Sequence, residues 1–195
     1  MSVLVVAALA EEVAHVDGVE VLVTGVGKAL AGAALARRFA AGPTPRLVVN
    51  VGTAGAVTAG VDGLLEVEFV TQHDFPYTAI EALVGNRVTR GFRLAADLAP
   101  QPVHEIPPDA ATVASGDTFV ADVERARAIA ARGARLVDME SYAYAATCAA
   151  FEVPMRCVKA VSDGADSEAA DSWVDSIDRC ARDLAAWVEC HILGG

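Results

Sequence analysis

The sequence predicts an α/β protein: a single-domain, three-layer fold with a mixed, mostly parallel central sheet and helices on both faces. Three observations predict it. Short valine-rich apolar runs recur along the chain, each closed by glycine or a polar residue, as strands buried on both faces do. Between them lie segments rich in Ala, Leu and Arg, which favour helix. Strands alternating with helices imply a sheet covered on both sides. At 195 residues, 54% hydrophobic and 21% charged, the chain can bury one sizeable core without a second domain, so residues 1–195 read as one unit.

The first two strands are expected at residues 3–8 and 19–24, both buried on two faces. Gly25-Val26-Gly27 then opens a helix over Lys28–Ala41. Residues 47–51 read as a third buried strand running into a loop, Gly52-Thr53-Ala54-Gly55, whose glycines let the backbone approach a ligand closely. A further strand is expected at 64–71. Prolines at 76, 100, 102, 107 and 108 break the pattern between Gln72 and Pro108, which reads as loops plus one short helix near 78–83. The order resumes with a strand at 111–114, a helix at 123–131, a strand at 135–137, a helix at 139–150 and a strand at 155–161. In the closing helix Trp173, Ile177, Cys180, Leu184, Trp187 and His191 recur at spacings of four and three. Asp171, Asp175 and Asp178 crowd its first turns, where the helix dipole favours negative charge.

A formal net charge of -11 argues against a surface that binds nucleic acid or anionic lipid, since both require clustered Lys and Arg. A small-molecule ligand is the default. Cys148, Cys157, Cys180 and Cys190 form no CxxC pair, so neither a disulfide framework nor a metal site is expected, and they read as small hydrophobes in a reduced compartment. Met1-Ser2 lacks a basic region and Glu11-Glu12 interrupt the apolar start, so the N-terminus reads as a core strand rather than a signal peptide. No apolar run approaches the ~20 residues of a membrane helix, and a cytoplasmic protein is expected.

Thr24-Gly25-Val26-Gly27-Lys28-Ala29 looks like a phosphate loop but fails both nucleotide templates. The P-loop requires glycine where Leu22 stands and Ser or Thr where Ala29 stands; the dinucleotide fingerprint requires glycine at Leu30. What remains is a tight strand-to-helix turn. Glu12-Val13-Ala14-His15 matches a Glu-x-x-His ligand pair, but one copy cannot build a di-iron cage, so no metal is assigned. Glu11-Glu12 could equally start a solvated helix. His73-Asp74 suits a base and its orienter, or a surface loop; His15, His104 and His191 are scattered and carry no assignment. Asp163 follows the apolar run 155–161 and falls at the carboxyl end of a buried strand, where open α/β sheets build ligand crevices. An acid partly withdrawn from water in that place can donate a proton. Glu140 opens a helix, where dipole stabilisation is its bland explanation.

Together these residues resemble the nucleoside phosphorylase and nucleosidase family, most of all its methylthioadenosine/S-adenosylhomocysteine nucleosidase branch. The matching pieces occur in family order: Ala8-Leu9-Ala10-Glu11-Glu12-Val13, Thr24-Gly25-Val26-Gly27-Lys28, Asn50-Val51-Gly52-Thr53-Ala54-Gly55, Ser115-Gly116-Asp117-Thr118-Phe119, Val137-Asp138-Met139-Glu140 and Val161-Ser162-Asp163. They span nearly the whole chain, while 72–108 matches poorly and is shortened. The resemblance implies a nucleoside phosphorylase-like fold, a cofactor-free cleavage of a purine N-glycosidic bond, and a homodimer in which the middle segment of one subunit closes the other's pocket. It assigns Asp163 as the acid at N7 of the base, Glu12 as the base activating water near Thr53, and Glu140 as the holder of the ribose hydroxyls. Met139 would pack beneath the sugar, Phe119 stack on the base, the Val120 backbone bond its edge and Ser162 position Asp163, with Ala54 and Gly55 alongside. Relatives commonly have Arg where Lys159 stands; Lys159 is expected near the substrate, paired with Glu140.

Hydrolysis is expected over phosphorolysis. The phosphorylase branch carries arginine where Asn50 stands and in the loop where this chain has Ala10-Glu11-Glu12, and a carboxylate there would repel phosphate. Asp163 favours a 6-aminopurine, because its carboxyl can accept from the exocyclic amine where hypoxanthine-preferring relatives tend toward Asn. The alternatives are a phosphorylase using Arg87 or Arg90, a futalosine hydrolase, and a non-catalytic nucleoside-binding protein.

Overall fold

The computed structural model describes residues 2–194; Met1 and Gly195, the ends of the predicted 1–195 unit, lie outside the described residues. In chain order the strands and helices are β1 (Val3–Ala7), β2 (Glu20–Val23), α1 (Lys28–Ala41), β3 (Leu47–Ala56), β4 (Leu64–Glu66), β5 (Phe69–Gln72), α2 (Tyr77–Val84), β6 (Gly91–Ala95), β7 (Leu98–Val103), β8 (Thr112–Ser115), α3 (Val123–Ala130), β9 (Leu136–Asp138), α4 (Ser141–Ala150), β10 (Met155–Asp163) and α5 (Ala169–Val188). A single 3-10 turn, Glu11–Val13, follows β1.

Helices do cover both faces of the β1-β3-β10 layer. On one side Leu4, Val6 and Val48 pack with Leu35 and Phe39 of α1 and Tyr144 and Cys148 of α4. On the other, Val5, Val49, Val51 and Val158 pack with Cys180, Leu184 and Val188 of α5. The alternation of inward side chains along each strand places successive valines in opposite layers, which is why the strands read as unbroken apolar runs. A third cluster seats Ala126 and Ile129 of α3 against Ala114 and Val137. No helix among the described residues is long and apolar enough to cross a membrane.

The sheet is mixed, its strand pairings dividing evenly between five parallel and five antiparallel. It also closes on itself: the order β3-β9-β8-β5-β6-β10 returns to β3 through a direct β3–β10 pairing, a closure that the alternation of strands and helices does not imply. Three of the antiparallel pairings are made by β6, with β5, β7 and β10, and the other two by the shortest strands. β4 has three residues and lies along β10, and three-residue β9 meets only the far end of β3.

Local differences have local causes. The expected loop 52–55 is extended strand: β3 runs ten residues, paired through Gly52↔Lys159, Thr53↔Ala160, Ala54↔Val161 and Gly55↔Asp163. Its glycines serve close approach, because a Cβ on Gly52 would stand 3.0 Å from Glu12 Oε1, and one on Gly55 2.7 Å from Asp163 Oδ1. Residues 64–71 divide into β4 and β5 at Val67-Glu68. The 72–108 segment contains α2 as expected, and also a β6–β7 hairpin that the prolines hid. Pro100 and Pro102 lie on β7, which pairs only with β6 and so tolerates missing N–H donors. β2 is an edge strand and only half-buried, not covered on both faces.

Candidate active site

The carboxyl ends of β1, β3 and β10, the start of α4 and the first turns of α5 enclose a cavity of about 390 Å³. Every residue to which the family resemblance gives a site role lines it except Lys159: Glu12, Thr53, Ala54, Gly55, Phe119, Val120, Met139, Glu140, Ser162 and Asp163. Among the lining residues there is no Lys, Arg or His.

Glu12 sits in the 3-10 turn after β1 and is buried. Its Oε2 accepts from the backbone N–H groups of Ala8 and Leu9, each at 3.1 Å, and its Oε1 accepts from the Thr53 N–H at 2.8 Å and the Thr53 hydroxyl at 2.9 Å. All four contacts use the carboxyl group of Glu12 as acceptor, two at each oxygen. The Thr53 hydroxyl in turn accepts from the indole Nε1 of Trp173 at 3.0 Å.

Glu140 occupies the position before α4, also buried, and its Oε1 accepts from the Gly27 N–H at 2.7 Å. Gly25 and Gly27 take φ of 87° and 97°, so the Gly25-Val26-Gly27 turn needs glycine to aim that N–H at Glu140. Burial, followed by the charge of Asp138, pushes the Glu140 carboxyl up to about 7 against the pull of Lys159 and the Gly27 N–H. Asp163 is half-buried, its Oδ2 accepting from the Ser162 hydroxyl at 2.7 Å and its Oδ1 from the Ala165 N–H at 2.8 Å.

Lys159 does not pair with Glu140. Its ammonium meets Asp138 Oδ2 at 2.9 Å behind the cavity wall, with both side chains buried. Burial alone would lower the Lys159 pKa, but contact with Asp138, with Cys157, Glu12 and Glu140 nearby, holds it above the ordinary lysine range. Asp138 is held below the usual carboxylate range: burial would raise it, but Lys159 and the hydroxyls of Ser115 and Ser141 outweigh burial. Ser115 Oγ donates to Asp138 Oδ1 at 2.6 Å, and Asp138 Oδ2 accepts from the Ser141 N–H at 3.1 Å at the start of α4. β9 and β10 both pair with β3, which brings Asp138 at the end of β9 within reach of Lys159 on β10.

Sequence reasoning passed over Asp138 and the α5 wall of Ala170, Trp173 and Val174. The signal for Asp138 was its place at the end of an apolar strand with Lys159 as a buried partner. The spacing of the closing helix puts Trp173 in an apolar stripe, yet an indole N–H in a half-buried place calls for an acceptor. Other nominations fall away from the cavity. The His73 ring is buried against Gly116 with neither nitrogen bonded, while Asp74 pairs with Lys28 at 2.6 Å, so they are not base and orienter. Arg87 pairs with Glu105 and Arg90 with Glu81, neither at the cavity. Asn50 is buried and donates to the carbonyls of Val6 and Val51.

Residues 12–190 match the model of the phosphorylase superfamily. The chain belongs to that superfamily. It is 31% identical over 185 residues to a 5'-methylthioadenosine/S-adenosylhomocysteine nucleosidase of Staphylococcus carnosus, covering 86% of this chain and 79% of the relative. The superfamily fold extends over the whole chain: a Helicobacter pylori nucleosidase mutant with 5'-methylthioadenosine in its active site superposes with TM-score 0.83 at 20% identity, covering 100% of this chain and 99% of that one. A Helicobacter pylori futalosine hydrolase superposes with TM-score 0.80 at 19% identity, covering 100% and 98%. Two differently named proteins share this mixed α/β fold, so the fold by itself does not choose a substrate.

Proposed function

We propose that this protein hydrolyses the N-glycosidic bond of an adenine nucleoside of the methylthioadenosine/S-adenosylhomocysteine type, yielding free base and ribosyl product. One observation carries the reading: buried Glu12, buried Glu140 and half-buried Asp163 face a single cavity whose lining has carboxylates but no basic side chain. Cleavage builds positive charge on the ribosyl ring, and fixed carboxylates around it act where that charge develops. Asp163 protonates N7 and so makes adenine a better leaving group, a general-acid step typically contributing ~10²–10⁴-fold. Glu140 accepts from the ribose hydroxyls, Met139 packs under the sugar, Phe119 stacks on the base, the Val120 backbone bonds its edge and Ser162 holds Asp163. Glu12, with Thr53 beside it, orients and deprotonates the water, with Ala54 and Gly55 forming the floor. Lys159 acts from behind, by neutralising Asp138.

Phosphate has no cation to meet in this cavity, which favours water as nucleophile. The chain is read as one functional unit acting as a homodimer; Val26, Phe119 and Val174, exposed by 42%, 50% and 64% at the cavity, are surfaces a partner subunit can cover.

Incubation with methylthioadenosine, S-adenosylhomocysteine, adenosine, inosine and futalosine, with and without phosphate, tests the proposal. Adenine release from the first two without phosphate is expected. Failure to release any base, or release that requires phosphate and forms ribose 1-phosphate, overturns it.

A further inference from the structure

One turn of α5 meets both chemical ends of the cavity. Trp173 donates its indole N–H to Thr53 Oγ1 at 3.0 Å, and three residues on, the Ser176 hydroxyl donates to the carbonyl of Ser162 at 3.1 Å. An indole nitrogen only donates, so Thr53 Oγ1 is the acceptor there. Its single proton is left for Glu12 Oε1, 2.9 Å away. Of the four donors to Glu12, three are backbone N–H groups of Ala8, Leu9 and Thr53, held by the turn after β1 and by the β3–β10 ladder. The Thr53 hydroxyl is the only one that rotates. It is therefore the contact that decides how much room Glu12 has for a water, and the indole N–H is what fixes its rotation.

We propose that Trp173 is a positioning residue: its indole N–H, acting through the Thr53 hydroxyl, sets the orientation in which Glu12 meets the attacking water. This rests on the hydrolytic reading above. Ala170, Trp173 and Val174 form one apolar face toward the cavity, and a phenylalanine at 173 would preserve that wall. It would leave Thr53 free to turn. A packing role does not distinguish Trp from Phe through Thr53, whereas a hydrogen-bond relay does.

A double-mutant cycle on adenine release from methylthioadenosine separates the two. Trp173→Phe should lower kcat about fivefold, the size of one neutral hydrogen bond, with KM changed by less than about twofold. In a Thr53→Ala background the same substitution should change kcat by less than about 1.5-fold, because the relay is already cut. Equal losses in both backgrounds, or a loss confined to KM, overturn the proposal. With only two tryptophans in the chain, the indole N–H signals in a nitrogen-15 spectrum give a second reading that does not require Trp173→Phe to fold. The Trp173 signal should shift and exchange faster in Thr53→Ala, and an unmoved signal also overturns it. If the wild-type protein releases no adenine, the hydrolytic reading fails; if it does and the cycle is additive, only the role of Trp173 fails.

Discussion

Glu140→Gln should make the protein more stable than wild type at alkaline pH and change little at acidic pH. The Glu140 carboxyl is only 6% exposed, and burial, with the Asp138 charge second, raises it from the ordinary 4.5 to about 7. The folded state therefore keeps a proton that the unfolded chain has already released. Between 4.5 and about 7 the unfolded state binds fewer protons, so stability falls as pH rises through that window and is level above it. A change of that size corresponds to a cost of about 3 kcal/mol once the group is ionised. Glutamine retains the carbonyl acceptor for the Gly27 N–H, 2.7 Å away in the wild type, and carries no charge. Urea unfolding of both proteins at about pH 4 and about pH 8.5 brackets the window, and the difference between them cancels every other titrating group to first order. Glutamine should gain about 3 kcal/mol on wild type between those two pH values. A difference that stays constant, or grows toward acid, would refute the assignment of Glu140 as a buried, destabilised carboxyl.

Lys159→Met leaves Asp138 charged and unpaired in the interior and should cost about 3–5 kcal/mol by urea unfolding; Asp138→Asn added to it should restore part of the loss, and additivity would argue against the pair. Asp163→Asn should reduce adenine release by roughly 10²–10⁴-fold while adenine binding, followed by calorimetry, changes far less; parallel losses would leave the acid role unsupported. Gly116→Ala places a Cβ 2.2 Å from His73 Cε1 against a buried ring, and a loss of about 1–3 kcal/mol in unfolding free energy is expected; an unchanged midpoint would show that the ring can move aside.

The legible part of this fold was the part whose side chains alternate between two apolar layers. Lys28–Ala41 emerges with the bounds its composition implied, since helix propensity and the glycine turn before it agree. Register was not legible. Whether β3 stops at Val51 or continues to Ala56 depends on β10 lying beside it, and glycines that look like loop formers in isolation are there to admit Glu12 and Asp163. The β6–β7 hairpin was hidden for a related reason: proline is excluded from a central strand but not from an edge, and edge position is a property of the sheet. The cavity lining was legible because its acids fall at strand ends. What each acid touches was not, because Lys159 could meet Asp138 or Glu140 until the strands were set side by side.

That choice of partner decides the electrostatics of the whole site. A Cβ at Gly52 would stand 3.3 Å from Lys159 Nζ as well as 3.0 Å from Glu12 Oε1, so the ammonium reaches this depth only because glycine leaves the space. A lysine ends in a compact point charge, which fits behind Gly52 and bonds one Asp138 oxygen at 2.9 Å; a planar guanidinium would need a wider slot to present its fork. Lodged there, the cation satisfies Asp138 and fixes the start of α4 through the Ser141 N–H, yet it does not line the cavity. Glu12 and Asp163 therefore answer to neutral donors, N–H and O–H groups, rather than to a salt bridge. A carboxylate neutralised by a contacting cation is a weaker base and a weaker partner for a positive ribosyl ring. Withdrawing Lys159 to Asp138 leaves the described lining of the cavity with carboxyl groups and no cation to attract an anion.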